Sequence, residues 1–318
     1  RQRIPRGQQP LAAILREWIP FVLSGAITAG VAPLLFAQVI YREQFYSANL
    51  LLGWRWLVVI PVLIGAFYLL YLLKSKMVAR WSFAARCGLV TGVAGCFLFV
   101  AFCWTANHLL GIKASTWPDV YRTGSVVASV PTLLWRLLTW VAGSFSTMAV
   151  LAGWQLRYRF QTDDAEWRDV ETCRLAYLSV VSLAVAVLSA GIYALRLEAA
   201  VQASLVGPPG LMWLAAVGVA VMVQIVGWLY LLRRTTAAAV TLVVITGSNL
   251  VGLTGTAAVR ELVRLSQIDL SRISVYTREA AAVGGFGLFL VAALIVSGLI
   301  ILCVRLTRAE QPSGAADR

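Results

Sequence analysis

The sequence predicts an all-α fold: a polytopic transmembrane helical bundle of about eight spans, with both termini cytoplasmic. Three observations predict it. The 318-residue chain is 60% apolar and only 13% charged, with a mean hydropathy of +0.79; a water-soluble chain carries about twice that charged fraction. The apolar residues fall in blocks of about 20 to 25, enough to cross roughly 30 Å of hydrocarbon at about 1.5 Å per residue. The basic residues between the blocks are distributed unevenly. The block length excludes a transmembrane β-barrel, whose short strands alternate apolar with polar residues. The composition excludes most soluble enzyme folds.

Residues 1–17 read as a basic N-terminal lead-in, lacking the short apolar core and small-residue cleavage site of a signal peptide. Residues 18–305 read as a single transmembrane domain and 306–318 as a cytoplasmic tail. The first span is predicted over 18–40 and the second over 50–73. Pro33 and Pro61 should kink them, because proline removes a backbone donor. The third span, 83–107, carries Gly88 and Gly92 at the spacing that favours close helix contact. Spans over 131–154, 175–196 and 211–232 follow. The seventh, 236–259, is the most polar, with Thr246, Ser248, Asn249 and Thr254; the short link at Arg233 and Arg234 predicts a tight hairpin with the sixth. The eighth covers 281–305.

The longest connections are 108–130, 155–174, 197–210 and 260–280, too short for a separate soluble domain. The 155–174 stretch is predicted to form a surface helix, capped by Asp163 or Asp164 and with Glu166 in its first turn. In RELVRLSQIDLSRI, Leu262, Leu265 and Ile268 fall near one helical face, which predicts an amphipathic segment on the outer membrane surface.

The formal charge is +13, from 27 Lys and Arg against 14 Asp and Glu. Seventeen of the basic residues lie on the side that holds both termini and eight on the other, with Arg55 and Arg136 inside spans. That asymmetry orients the chain and places its charge against phospholipid head groups rather than nucleic acid. The five cysteines show neither CxxC nor CxxCH spacing, so no disulfide framework is expected.

All 14 acidic residues fall outside the eight predicted spans, which counts against ion-coupled transport by this chain. No phosphate-binding glycine loop, zinc motif or serine triad is present, so no catalytic residue or metal site is expected. His108, the single histidine, sits at the end of span three; it reads as an interfacial imidazole, and as a minor candidate for haem ligation with Met148 as partner. Arg55 in LGWRWLVV and Arg136 in LLWRLLTW are each flanked by tryptophan. They can snorkel to the head groups and stack on Trp54, Trp56 or Trp135. Alternatively they join Arg260 and Arg264 in an outer-leaflet anion site for a lipid phosphate, a haem propionate or a quinone carbonyl. Gln38, Asn107, Gln224 and Asn249 are expected to bond between helices, each worth about 0.6–2 kcal/mol.

Three stretches carry a resemblance: GVAPLLFAQVIY at 30–41, continuing through Phe45-Tyr46-Ser47 to WLVVIP at 56–61; RELVR at 260–264; and LLWRLLTW at 133–140. Together they resemble an uncharacterised family of bacterial polytopic inner-membrane proteins associated with c-type cytochromes and respiratory complexes. Members that look haem-binding carry an Arg-x-x-His pattern in the last stretch and further histidines in an N-terminal span. Here Arg136 matches the arginine, but Thr139 stands where the histidine would be. The resemblance therefore implies a relative poor in haem ligands.

The function expected from these readings is an integral-membrane anchor or scaffold subunit of a bacterial respiratory or electron-transfer complex, in the inner (cytoplasmic) membrane. It would contact lipid or quinone, pack against other membrane or cytochrome subunits, and carry no redox centre of its own. A resident cofactor is not expected, with quinone and b-type haem as the alternatives. Two further readings stand beside it: a small-molecule transporter or permease, and a haem- or quinone-active membrane enzyme.

Overall fold

A computed structural model describes residues 10–158, 165–233, 238–268, 278 and 285–309. Among them every regular element is helical. The helices are α1 (Pro10–Ile40), α2 (Arg42–Leu52), α3 (Trp54–Leu57), α4 (Val59–Lys74), α5 (Phe83–Ile112), α6 (Trp117–Thr123), α7 (Val126–Ser129), α8 (Leu133–Tyr158), α9 (Ala165–Leu195), α10 (Ala199–Val206), α11 (Pro208–Arg233), α12 (Ala238–Leu265) and α13 (Gly285–Ala309). Six stretches are long and apolar enough to cross a membrane: Trp54–Lys74, Phe83–Ile112, Leu133–Arg157, Asp169–Leu195, Pro208–Arg233 and Ala239–Leu265. They correspond to the second through seventh predicted spans. The first and last predicted spans fall on α1 and α13, helices of 31 and 25 residues.

The helix ends depart from expectation in ways that have physical causes. The second span does not start as one helix at residue 50. Gly53 breaks it with φ +56, a left-handed conformation that glycine adopts without penalty. Pro61 then falls in the first turn of α4, where its missing donor costs nothing, so it need not kink the span. The described residues of the 155–174 stretch belong to no separate surface helix; 155–158 end α8 and 165–174 begin α9, with Glu166 at the second position of α9. Asp163 and Asp164 lie outside the described residues. Likewise RELVR continues α12 instead of starting a surface segment, and the rest of that segment beyond Ile268 lies outside the described residues up to Arg278.

Close helix contact is also displaced from where the sequence pattern put it. A Cβ at Gly88 or Gly92 would meet no heavy atom within 4 Å. On the α11–α12 hairpin, by contrast, a Cβ at Gly227 would lie 2.6 Å from Ile245 Cγ1, and one at Gly255 2.6 Å from Val217 Cγ2. Small residues allow the two backbones to approach there.

Two apolar cores position the rest. One joins α8, α9, α11 and α12 through Ala149, Leu156, Leu175, Trp228, Leu231 and Ile245. The other gathers α2, α5, α6, α7 and the start of α8 through Leu52, Leu110, Val120, Val126 and Leu133. The outward faces remain apolar: Val181, Leu188 and Leu195 on α9, spaced by seven residues, are all exposed, as are Val240, Val243 and Val244 on α12. An exposed apolar girdle of this extent is the surface a lipid bilayer covers. The chain is thus a multi-pass, all-helical membrane protein.

Candidate anion-binding site

The polar residues inside the bundle are held by their helical spacing. On α8, Arg136, Thr139, Gly143 and Ser146 recur at three- and four-residue intervals, so they share one face. On α9, Glu171, Leu175, Ser179 and Ser182 do the same, and Ser189 and Tyr193 continue that face two turns further along. The two faces meet antiparallel. Thr139 Oγ1 donates to Ser189 Oγ at 3.1 Å, and the hydroxyls of Ser146 and Ser179 lie 2.8 Å apart. Arg136 stands at the end of this seam that faces the 108–130 connection. Its Nη1 donates to the Tyr193 hydroxyl at 3.4 Å, and its guanidinium lies 5.9 Å from the Tyr193 ring centroid.

Arg136 is 7% exposed and has no carboxylate partner among the described residues. A buried guanidinium without a counter-ion carries a desolvation cost of several kcal/mol. Further positive charge surrounds it. His108, at the end of α5, feels the charges of Arg136, Arg260 and Arg264, and its buried Nε2 has no hydrogen-bond partner among the described residues. Arg260 is exposed and stacks over Trp140, with Cζ 6.0 Å from the ring centroid. Trp140 lies one turn along α8 from Arg136.

Three of the four predicted arginines therefore gather with His108, and Arg55 does not join them. Arg55 lies on the short helix α3, where the break at Gly53 re-aims it. Its Nη2 donates to the Gly124 carbonyl at 3.4 Å and its guanidinium stacks on Trp54. Arg264 is present but already satisfied. It donates to Glu261, with Nε–Oε2 at 2.9 Å, and to the Tyr41 hydroxyl, tying α12 to the α1–α2 junction. The open positive charge contracts to Arg136 and Arg260.

A small cavity of about 50 Å³ adjoins this cluster, sharing Tyr193 with Arg136. Its polar lining includes Lys113, Thr132, Arg196, Glu198 and Gln267. Lys113 pairs with Glu198 at 2.6 Å, and Arg196 stacks on Trp135. That volume holds a few waters or the oxygens of one small anionic group. Ring-bearing ligands occupy pockets of about 300 Å³ and more. Nor do the described residues supply a pair of haem ligands at His108. There is one imidazole, and the Thr139 hydroxyl at the second ligand position is engaged by Ser189 and by the Trp135 carbonyl. No group of three or more metal-ligating side chains gathers among the described residues.

The polar residues predicted as interhelical ties largely act so. Asn107 Nδ2 donates to Asn49 Oδ1 at 2.6 Å, Gln224 Oε1 accepts from Ser146 at 3.3 Å, and Asn249 exchanges two bonds with Thr147. Gln38 is half-buried in α1. Sequence reading missed one functional candidate, Glu171. It is 2% exposed within α9, contrary to the expectation that every carboxylate lies outside the spans. Arg174 Nη1 bonds its Oε1 at 2.6 Å, while its buried Oε2 has no hydrogen-bond partner among the described residues. The signal was its register: Glu171 precedes Leu175, Ser179 and Ser182 by four, eight and eleven residues on one helical face.

Comparison with protein-family profiles, with curated proteins and with solved structures finds no match to this chain.

Proposed function

We propose that the chain is an inner-membrane subunit of a bacterial electron-transfer assembly, and that its Arg136 end binds the phosphate of an anionic lipid in the outer leaflet. The observation that carries the ligand reading is Arg136 itself, a buried guanidinium that has no counter-ion among the described residues, beside a second open arginine and an imidazole nitrogen that none of those residues bonds. A guanidinium offers a planar fork that matches two phosphate oxygens. The Tyr193 hydroxyl holds that fork in place. The small cavity beside it favours a head-group anion over a quinone ring.

The assembly reading rests on the resemblance carried by the 30–61, 133–140 and 260–264 stretches. The excess of basic residues beside the termini favours a cytoplasmic placement for both, with α1 and α13 completing eight spans and the Arg136 end facing outward. Thr139 in place of a histidine favours a subunit that docks and anchors redox partners without its own haem.

Purification from native membranes in mild detergent tests both halves. Mass spectrometry of the retained species is expected to find cytochrome or iron–sulfur subunits in fixed proportion. It is also expected to find an anionic phospholipid on the wild type that is lost from Arg136→Gln. Recovery of the chain alone overturns the assembly reading. Equal lipid retention by wild type and Arg136→Gln overturns the lipid site.

A further inference from the structure

The cavity beside Arg136 lies where the head group of a lipid follows its phosphate. Arg136 sits in the first turn of α8, and its backbone N–H donates to the Thr132 carbonyl at 3.0 Å. Thr132 stands about 6 Å nearer the helix end along the axis, and it lines the cavity. The other polar walls come from the same end of the bundle. Lys113 follows α5, Tyr193 is in the last turn of α9, Arg196 and Glu198 are in the link to α10, and Gln267 follows α12. In a phospholipid the acyl chains point into the bilayer and the head group points away from it. A phosphate on the Arg136 fork therefore directs its head group towards this cavity.

The lining distinguishes head groups by charge, hydrogen bonding and size. Its carboxylate, Glu198, is held by Lys113 at 2.6 Å. Lys113, Arg196 and the adjacent Arg136 leave the space positive. An ammonium head group, as in ethanolamine or choline, meets cations there and no open carboxylate of the lining. Neutral groups remain open. The Thr132 hydroxyl and the Gln267 amide have no hydrogen-bond partner among the described residues. The Tyr193 hydroxyl accepts from Arg136 and donates to none of those residues. A hydroxyl and an amide each offer a donor and an acceptor, which suits an alcohol as ligand. A volume of about 50 Å³ takes about three or four water-sized groups at about 10–15 Å³ each. The hydroxyls of a glycerol fit that space, and an inositol ring does not.

We propose that this cavity binds an uncharged polyol head group, the glycerol of phosphatidylglycerol, and so selects the lipid whose phosphate Arg136 holds. The inference rests on the proposed phosphate site and adds the choice of head group to it. Thr132, Gln267 and Tyr193 exchange hydrogen bonds with the glycerol hydroxyls. The Lys113–Glu198 pair, with side chains 37% and 58% exposed, forms the rim and keeps the carboxylate from attracting an ammonium group. A site built to bond hydroxyls rejects an analogue that lacks them, because its own polar groups are then left unpaired.

The test is native mass spectrometry of the full chain in detergent, titrated with lipids of identical acyl chains. Phosphatidylglycerol is compared with phosphatidylethanol, which carries the same single negative charge and no head-group hydroxyl, and with phosphatidylethanolamine. Wild type is expected to bind phosphatidylglycerol at least about fivefold more tightly than phosphatidylethanol, and phosphatidylethanolamine most weakly. Thr132→Val, which keeps the side-chain shape, and Gln267→Leu are each expected to weaken phosphatidylglycerol about three- to tenfold and to leave phosphatidylethanol unchanged. Arg136→Gln is expected to lose both anionic lipids. Size-exclusion profiles matching wild type establish that the variants fold. Equal wild-type affinity for phosphatidylglycerol and phosphatidylethanol overturns the head-group site and leaves the phosphate site standing. An undiminished preference in both folded variants overturns it too, as does phosphatidylethanolamine binding as tight as phosphatidylglycerol. A wild type that binds neither anionic lipid overturns the phosphate site, and the head-group site with it.

Discussion

Replacing Arg136 by methionine should change stability with opposite sign in the absence and presence of anionic lipid. Methionine fills a comparable length of the α8–α9 contact without a charge. In a zwitterionic environment the substitution removes one long hydrogen bond, at 3.4 Å to Tyr193. A bond of that kind contributes about 0.5–1.5 kcal/mol at best. It also removes the desolvation cost of a guanidinium that is 7% exposed and has no described counter-ion. Replacing buried ionic groups by apolar ones of similar volume stabilises by about 1–4 kcal/mol where the charge is poorly compensated. The net expectation without lipid is a gain of about 1–3 kcal/mol. With a phosphate seated on the fork, the wild type gains two charge-assisted hydrogen bonds worth about 1.5–3 kcal/mol each, and the order reverses. The assay is thermal unfolding of both proteins in phosphatidylcholine nanodiscs, with and without phosphatidylglycerol. A variant less stable in both compositions would show that Arg136 serves packing alone. A variant more stable in both would show that no lipid phosphate engages it.

The α11–α12 contact gives a second test, because a Cβ at Gly227 falls 2.6 Å from Ile245 Cγ1. Gly227→Ala should cost about 1–3 kcal/mol in wild type and close to nothing beside Ile245→Ala; additive losses in that double-mutant cycle would contradict the close approach. Cysteine labelling tests the burial pattern. Cys87 is exposed and Cys103 is buried with Sγ 3.6 Å from the Arg55 carbonyl, so a maleimide should modify Cys87 at least about tenfold faster in detergent, read by peptide mass.

The predicted second through seventh spans were legible because length and hydropathy are local properties of the chain. Helix ends were less so, for a specific reason. Charged residues at 157–174 lower the local hydropathy and read as a connection, yet α9 begins at Ala165 and buries Glu171. What buries that carboxylate is the packing of α9 in the core with Leu156 of α8 and Leu231 of α11, and no local property of the 155–174 stretch reports it. The serine seam was legible in principle. Ser179, Ser182 and Ser189 keep helical register, but serine is nearly neutral in hydropathy and passes as span filler. Among the arginines, the Glu261–Arg264 spacing of three residues already signalled an internal pair. The separation of Arg55 was not signalled, because it follows from the left-handed turn at Gly53 and the packing of the α6–α7 segment on α5.

The charges at the Arg136 end bear on where its counter-ion comes from. Unit charges about 4 Å apart interact by about 4 kcal/mol at an effective dielectric near 20, so the sign of each neighbour matters. Glu261 cannot neutralise Arg136, because its carboxylate is committed to Arg264. Arg260 adds to the field that would need to be cancelled. On the lipid reading, the burden of neutralising the Arg136 end falls on a group from outside the described residues, and the surrounding bilayer is the source with both the charge and the proximity to provide it.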